Sequence, residues 1–459
     1  MSDSNSTLSP STVTSLLTRF ANVRKEEVPA LLASVFFFFC VLSALMVVRP
    51  AREALGMRSG LDTVRWLFLG TAVVTLAVNP VFGWLVSRFR TTTFIAATYL
   101  FFGASLLVFW WLLTFAPERM GEVSGRVFYV WFSVFNLFST MVFWALMVDR
   151  FSLEQSKRLF GAVAVGGTLG AMFGPWLAWT YVEELGTSNL LLIAVGFLGL
   201  AVLAAVAVAW LQPSSGASAG GGEESADGVQ PGTKPQQERV IGGSAIDGFK
   251  DVLRSPYLLG IAGFVLIMSI MATFIYFTRL QMVAAMTEVV DERTGFFAQI
   301  DFWTQFATLM LQLLITGHIM RRLGVAVAMA LLPLTVALGF AGLVLSGSFV
   351  ALVLLEASYR AVQRGITRPA RETLFTVVSR RDRYKSKAVI DTFVYRTGDV
   401  VGAWTEGLLG RLGGGVPLLA ALVIPAAAGW AVLSVWLARE QRAQAVAPAE
   451  TLGSEAPVP

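Results

Sequence analysis

Residues 356–372 read EASYRAVQRGITRPARE. They lie in an apolar segment that begins after the Ser346-Gly347-Ser348 turn, and Arg360, Arg364, Arg368 and Arg371 recur along it at steps of four, four and three. In a helix those steps put all four on one face. A helix entering hydrocarbon near Phe349 and rising about 1.5 Å per residue carries Arg360 to about 16 Å and Arg364 to about 22 Å, in a core about 30 Å thick. Arg360 is thus expected near the midplane. Arg368 and Arg371 are expected near the far surface, where long basic side chains reach the headgroups. A guanidinium at the midplane is costly against lipid, so it faces water or a carboxylate, and its planar fork matches carboxylate and phosphate. The stripe predicts a polar cavity for an anion; the alternative reading is a basic helix exit at the cytoplasmic surface.

The rest of the composition fits a membrane setting. Of 459 residues, 55% are hydrophobic and 14% charged, with a mean hydropathy of +0.67. That is too apolar for a soluble domain of this length and indicates a polytopic membrane protein. The net charge of +5 reads as topology rather than as a nucleic-acid surface. With one Cys and one His in the chain, no intrachain disulfide, Cys/His metal cluster or Ser-His-Asp triad can be assembled. No cofactor and no enzymatic activity are expected.

Working outward, residues 1–28 are polar and lack a signal-type apolar core, so a cleaved secretion signal is not expected. Val13, Leu16, Leu17, Phe20 and Val23 share a face that fits a surface-lying amphipathic helix. Twelve apolar spans follow, near 29–48, 64–86, 94–115, 127–148, 159–180, 190–211, 257–278, 296–318, 323–346, 349–376, 388–410 and 416–438. The stretch 213–254, with its Gly- and Ser-rich SSGASAGGGEESADG, reads as a flexible linker. The expected organisation is a tail over 1–28, a six-helix bundle over 29–212, the linker, a second six-helix bundle over 255–438 and a tail over 439–459. With the N-terminus inside, the inner segments hold more than twice as many Lys and Arg as the outer loops. Both termini are therefore expected in the cytoplasm.

The two halves echo one another. Arg49-Pro50-Ala51-Arg52-Glu53 closes span one, and Arg368-Pro369-Ala370-Arg371-Glu372 recurs in span ten. Transporters built from inverted three-helix repeats line their cavity with spans one, four, seven and ten. Here these end in Arg49/Arg52, Asp149/Arg150, Arg279 and Arg368/Arg371. Charge pairs at such ends suit gates that form at one mouth while breaking at the other; Arg49, Glu53, Asp149, Arg150, Arg279, Arg368, Arg371, Glu372, Lys387 and Asp391 are the candidates. Span eleven adds Arg396 and Asp399, and either Asp391 or Asp399 is expected to pair with the arginine stripe. Arg52, Arg360, Arg364, Arg396 and Asp399 form the expected substrate set. Span eight offers Asp301, Gln305 and Gln312 on one face. Gly166-Gly167-Thr168-Leu169-Gly170 lacks the Gly-Lys-Ser/Thr ending of a phosphate loop and reads as close helix packing.

Phe143-Trp144-Ala145, Glu154, Lys157, Phe160-Gly161, Lys385, Lys387-Ala388, Ile390-Asp391 and Gly398 resemble the ATP/ADP translocase family of plastids and intracellular bacteria. The resemblance implies a major-facilitator-like fold and exchange of nucleotides across a membrane, and it sets Arg52 where the family ends its first span in Lys before an acid. The chain departs from the pattern at Asp399, where nucleotide exchangers carry Lys, and at Phe132 and Phe274, where they carry acids. These departures imply a divergent bacterial branch. The expectation is a monomeric secondary transporter of an organic or phosphorylated anion in the bacterial inner membrane. The alternatives are a proton-coupled major-facilitator exporter of another small molecule and a lipid flippase or scramblase.

Overall fold

The computed structural model describes residues 23–88, 91–116, 118–212, 245–314 and 316–451. The amphipathic stretch at 13–22 and most of the linker lie outside the described residues, as do the side chains of Pro80 and His318. Among the described residues the regular elements are all helical. In the first half these are α1 (Val28–Gly56), α2 (Leu61–Arg88), α3 (Thr91–Phe115), α4 (Glu118–Arg150), α5 (Leu153–Leu185) and α6 (Thr187–Leu211). A short α7 (Ala245–Arg254) precedes α8 (Pro256–Met286), α9 (Val290–Leu314) and α10 (Thr316–Ser346). Next come α11 (Phe349–Val362), a π-helical segment (Gln363–Thr367) and α12 (Arg368–Leu374). The chain ends in α13 (Arg380–Ala388), a second π segment (Val389–Val394), α14 (Tyr395–Arg411) and α15 (Gly415–Thr451). α10 bends at Gly324, whose φ of 75° is open to glycine. α15 runs past 438, where the last span was expected to end.

Nine helical segments among the described residues are long and apolar enough to cross a membrane. The three expected spans that fall short are those near 296–318, 349–376 and 388–410, for two physical reasons. α9 carries Asp291, Glu292, Arg293, Asp301 and Gln305, and the other two are broken by the π segments and crowded with charge.

The chain forms two compact units. The first holds α1, α2 without its Val64–Leu69 turn, α3–α6 and Thr287–Phe302; the second holds Val64–Leu69, α7, α8 and the chain from Trp303 onward. The exchanged segments differ from the boundaries expected at the linker, and specific contacts explain them. In the first unit Arg49 lies 3.5 Å from the buried Asp301, the Thr187 amide donates to Asp291 at 2.7 Å, and the Thr187 and Thr294 hydroxyls meet at 2.9 Å. In the second, Arg65 pairs with Glu406 at 2.8 Å, Trp66 meets Trp404 edge-on, and Phe68 packs on Tyr276 and Phe277.

Small residues set the packing of the first unit. A Cβ on Gly166 would stand 2.2 Å from the Val35 carbonyl oxygen, and one on Gly170 2.3 Å from that of Phe39. α5 therefore lies against the α1 backbone at a separation no larger side chain permits, as the glycine run predicted. Phe38 stacks on Phe143 at 4.0 Å between ring centroids beside this seam.

Candidate functional site

α11 begins where Gly347, at φ 59°, turns the chain and Ser348 Oγ accepts the Ala351 amide at 3.2 Å. It runs regularly to Val362 and then widens into the π segment. Pro369 follows in the first turn of α12. A proline here has no N–H to give the Gly365 carbonyl and its ring would crowd that oxygen, and a wider turn relieves both. The Arg368 amide reaches back five residues to Gln363. The opposite wall starts where Ser379 caps α13 through the Asp382 amide at 3.2 Å, and it too passes through a π segment before α14. π turns often mark functional sites, and here one carries Arg364 and the other Asp391.

Between these walls lies a cavity of about 540 Å³, within the range of small-molecule sites. Six of its lining side chains are basic, Arg360, Arg364, Arg368, Arg371, Lys387 and Arg396, against two carboxylates, Glu372 and Asp391. The two carboxylates sit together at one end. Arg371 lies 3.1 Å from Asp391 and 3.5 Å from Glu372, while Lys387 pairs with Glu372 and stands 3.7 Å from Asp391. The remaining arginines are held from behind. Arg360 lies 3.4 Å from Glu356, which also meets Arg279 at 3.2 Å. Arg364 donates to Gln305 Oε1 at 2.7 Å, and Arg396 to Asp399 at 3.1 Å. The lining carries an excess of positive charge, presented as guanidinium forks.

The structure brings Arg360, Arg364, Arg368, Arg371, Glu372, Lys387, Asp391 and Arg396 to one cavity and sets Asp399 against Arg396. Of the two aspartates expected to answer the stripe, Asp391 does so through Arg371 while Asp399 meets Arg396, and Arg360 and Arg364 lie against Glu356 and Gln305 instead. Arg52 and Glu53 belong to the other unit, where Arg52 lies 3.6 Å over the Tyr129 ring and bonds Glu53 at 2.7 Å. Arg49 is on Asp301, as above. Arg150 pairs with Asp149 at 3.3 Å and donates to the Ala209 and Gln212 carbonyls, so it fastens the C-terminal end of α6. Arg279, expected at a span end, is fully buried.

Sequence reasoning missed Glu356, although it stands four residues before Arg360, the spacing that allows an ion pair along a helix. It also missed Arg65 with Glu406 and the role of Ser269, whose partners lie far away in sequence. No local signal marks those pairs.

The Major Facilitator Superfamily model matches residues 31–363. The chain belongs to that superfamily. It is 21% identical to ADP,ATP carrier protein 1 of Chlamydia trachomatis over 90% of this chain and 88% of that protein. A protein of the same name from Chlamydia pneumoniae matches at 21% over 95% and 96%. Among solved structures it resembles a POT family transporter bound to a thioalcohol-conjugated peptide (TM-score 0.58, 13% identity, 88% of this chain and 96% of that one). It also resembles a bacterial homologue of the human lysosomal transporter Spinster (TM-score 0.52, 14%, 92% and 96%). At these identities the structural likeness shows the fold, and the fold is that of major-facilitator transporters. The major-facilitator protein is thus an all-helical, multi-pass membrane transporter.

Proposed function

We propose that this transporter carries a multiply charged organic anion, a phosphorylated one above all, by alternating access through the cavity on α11–α14. The carrying observation is the lining itself, six basic side chains against two carboxylates. An uncharged solute would leave the excess positive charge of the lining unbalanced, and a single carboxylate would offset little of it. A phosphate or diphosphate offers several acceptor oxygens to Arg360, Arg364 and Arg396 together. The similarity to proteins named ADP,ATP carriers favours a nucleotide, exchanged rather than pumped. Arg368, Arg371, Glu372, Lys387 and Asp391 act in this reading as a charge cluster that opens and closes access to the cavity. The transporter works as a single chain in a bacterial plasma membrane, with both termini on the cytoplasmic side, and leaves its cargo chemically unchanged.

Proteoliposomes preloaded with ADP, with an organic dicarboxylate or with buffer alone test this. Uptake of labelled ATP driven only by internal ADP supports nucleotide exchange. Uptake of other phosphorylated solutes without nucleotide uptake keeps the anion and changes the cargo, and transport of neutral or cationic solutes alone overturns the reading. Tags at residue 230 and near Glu288 report sidedness, the first reached from the cytoplasm and the second from outside.

A further inference from the structure

Behind Arg396 lies a carboxylate that anion binding alone does not require. Asp399 is 8% exposed and stands one turn along α14 from Arg396, whose guanidinium reaches both it and the cavity. α14 meets α8 at two glycines. A Cβ on Gly398 would lie 2.6 Å from Ser269 Cβ, and one on Gly402 2.9 Å from Thr273 Cβ. This close approach presses Ser269 onto the aspartate. Its Oγ is 2.6 Å from Asp399 Oδ1 and 2.8 Å from the Tyr395 carbonyl oxygen.

A serine hydroxyl has one proton and two lone pairs, so it donates to one of these oxygens at a time. When Asp399 is ionised, Ser269 donates to the carboxylate. When Asp399 is protonated, its O–H donates to Ser269 Oγ, and Ser269 turns its own proton to the Tyr395 carbonyl. Both protonation states are therefore hydrogen-bonded without movement of the backbone, which a carboxylate serving only to hold an arginine does not need.

The charged surroundings are few. α8 offers only the hydroxyls of Ser269 and Thr273. α14 supplies Arg396 and Tyr395 and α11 supplies Tyr359, while Glu356, Arg360 and Arg371 stand around those two tyrosines. Arg396 is the cation in ion-pair contact with Asp399 among the described residues, so whatever draws it away leaves a buried charge alone. A buried carboxylate that loses its cation is strongly destabilised and takes a proton instead.

We propose that Asp399 is a proton-binding site linked to the anion: cargo in the cavity draws Arg396 off the carboxylate, Asp399 takes up one proton from cavity water, and a proton accompanies the anion on each leg of the exchange. The balance is one proton bound per Arg396 released, with no other bond made or broken. This rests on the anion reading of the cavity, yet part of it is testable without any cargo.

In Arg396→Gln the side chain is withdrawn permanently, and infrared spectra of the purified protein at neutral pH should gain a protonated-carboxyl C=O band that is absent from wild type. The band should vanish in Arg396→Gln/Asp399→Asn. Arg396→Met serves as the second variant if the glutamine protein does not survive purification. The absence of such a band in a folded variant, or its persistence after Asp399→Asn, overturns the proposal. The linked arm adds ADP or inorganic pyrophosphate to wild type in weak buffer. A bound anion should take up about one proton, and its affinity should rise up to about tenfold per unit fall in pH, with neither effect in Asp399→Asn. Binding of either anion with no proton uptake overturns the linkage. If neither anion binds while the infrared band appears as described, the anion reading fails and the proton site stands.

Discussion

RPARE occurs twice in this protein, and its two copies live differently. In the first, Pro50 is carried inside an unbroken α1, Glu53 is almost wholly buried, and the Arg52 guanidinium is spent on the Tyr129 ring, the Tyr129 carbonyl and Glu53. In the second, Pro369 follows a π segment, Glu372 is half-exposed, and Arg371 shares Glu372 and Asp391 with Lys387 at a cavity wall. Arg371 also keeps a buried Nε with no hydrogen-bond partner. One copy pairs its cation with a buried carboxylate, and the other pairs it with two partly exposed carboxylates that line a cavity. Identical residues in a helix thus make an architectural tie in one place and a candidate site in the other, according to what packs across from them.

The largest effect expected separates them by stability. Arg52→Ala takes from buried Glu53 a cation that lies 2.7 Å away and should cost about 3–5 kcal/mol, read as a fall in the thermal midpoint in detergent. Arg371→Ala, in a wetter cluster, should cost no more than about 1 kcal/mol. Equal falls would break the comparison. Transport should separate them in the opposite sense. Arg371→Gln should leave a folded protein that loses about tenfold or more of its anion transport, the worth of one or two charged hydrogen bonds, and full activity in proteoliposomes would place the second copy beside the first as architecture.

Arg360→Lys and Arg364→Lys sharpen the point, because lysine keeps the charge and loses the fork. Cargo-induced thermal stabilisation should weaken several-fold in each while the unliganded midpoint holds. Should the unliganded midpoint fall instead and the stabilisation persist, the Glu356 and Gln305 contacts are what these arginines are for. The smallest effect belongs to Asp391→Asn. It removes negative charge from the cavity and frees Arg371, so anion affinity should rise a few-fold in an equilibrium binding assay; a fall would mean that Asp391 orients Arg371 for its cargo.

How far the sequence could be read follows from the kind of signal each feature leaves. Apolar runs made the membrane helices legible, and the Gly166–Gly170 run made close helix packing legible, because both are local patterns; that α1 is the helix packed there came from the structure. The steps between Arg360, Arg364, Arg368 and Arg371 placed them on one face, and the structure finds all four lining one cavity. Glu356 was missed, although its i,i+4 spacing to Arg360 is a local signal that could have found it. Arg279 was misplaced because it lies near the end of an apolar span, where a basic residue ordinarily marks an exit; α8 continues to Met286 and buries it against Glu356.

By itself the sequence determined that this chain is a bundle of membrane helices in two halves, and that span ten bears a basic stripe. Those properties depend on composition and on the helical period, which operate within a few turns. Only the tertiary structure decided which charges answer which. Ser269 meets Asp399 across 130 residues, Arg65 meets Glu406 across 341, and the two copies of RPARE part company over the neighbours that reach them. In a medium without water a charge is defined by the partner beside it, and helix period along one segment says nothing of what another segment brings there.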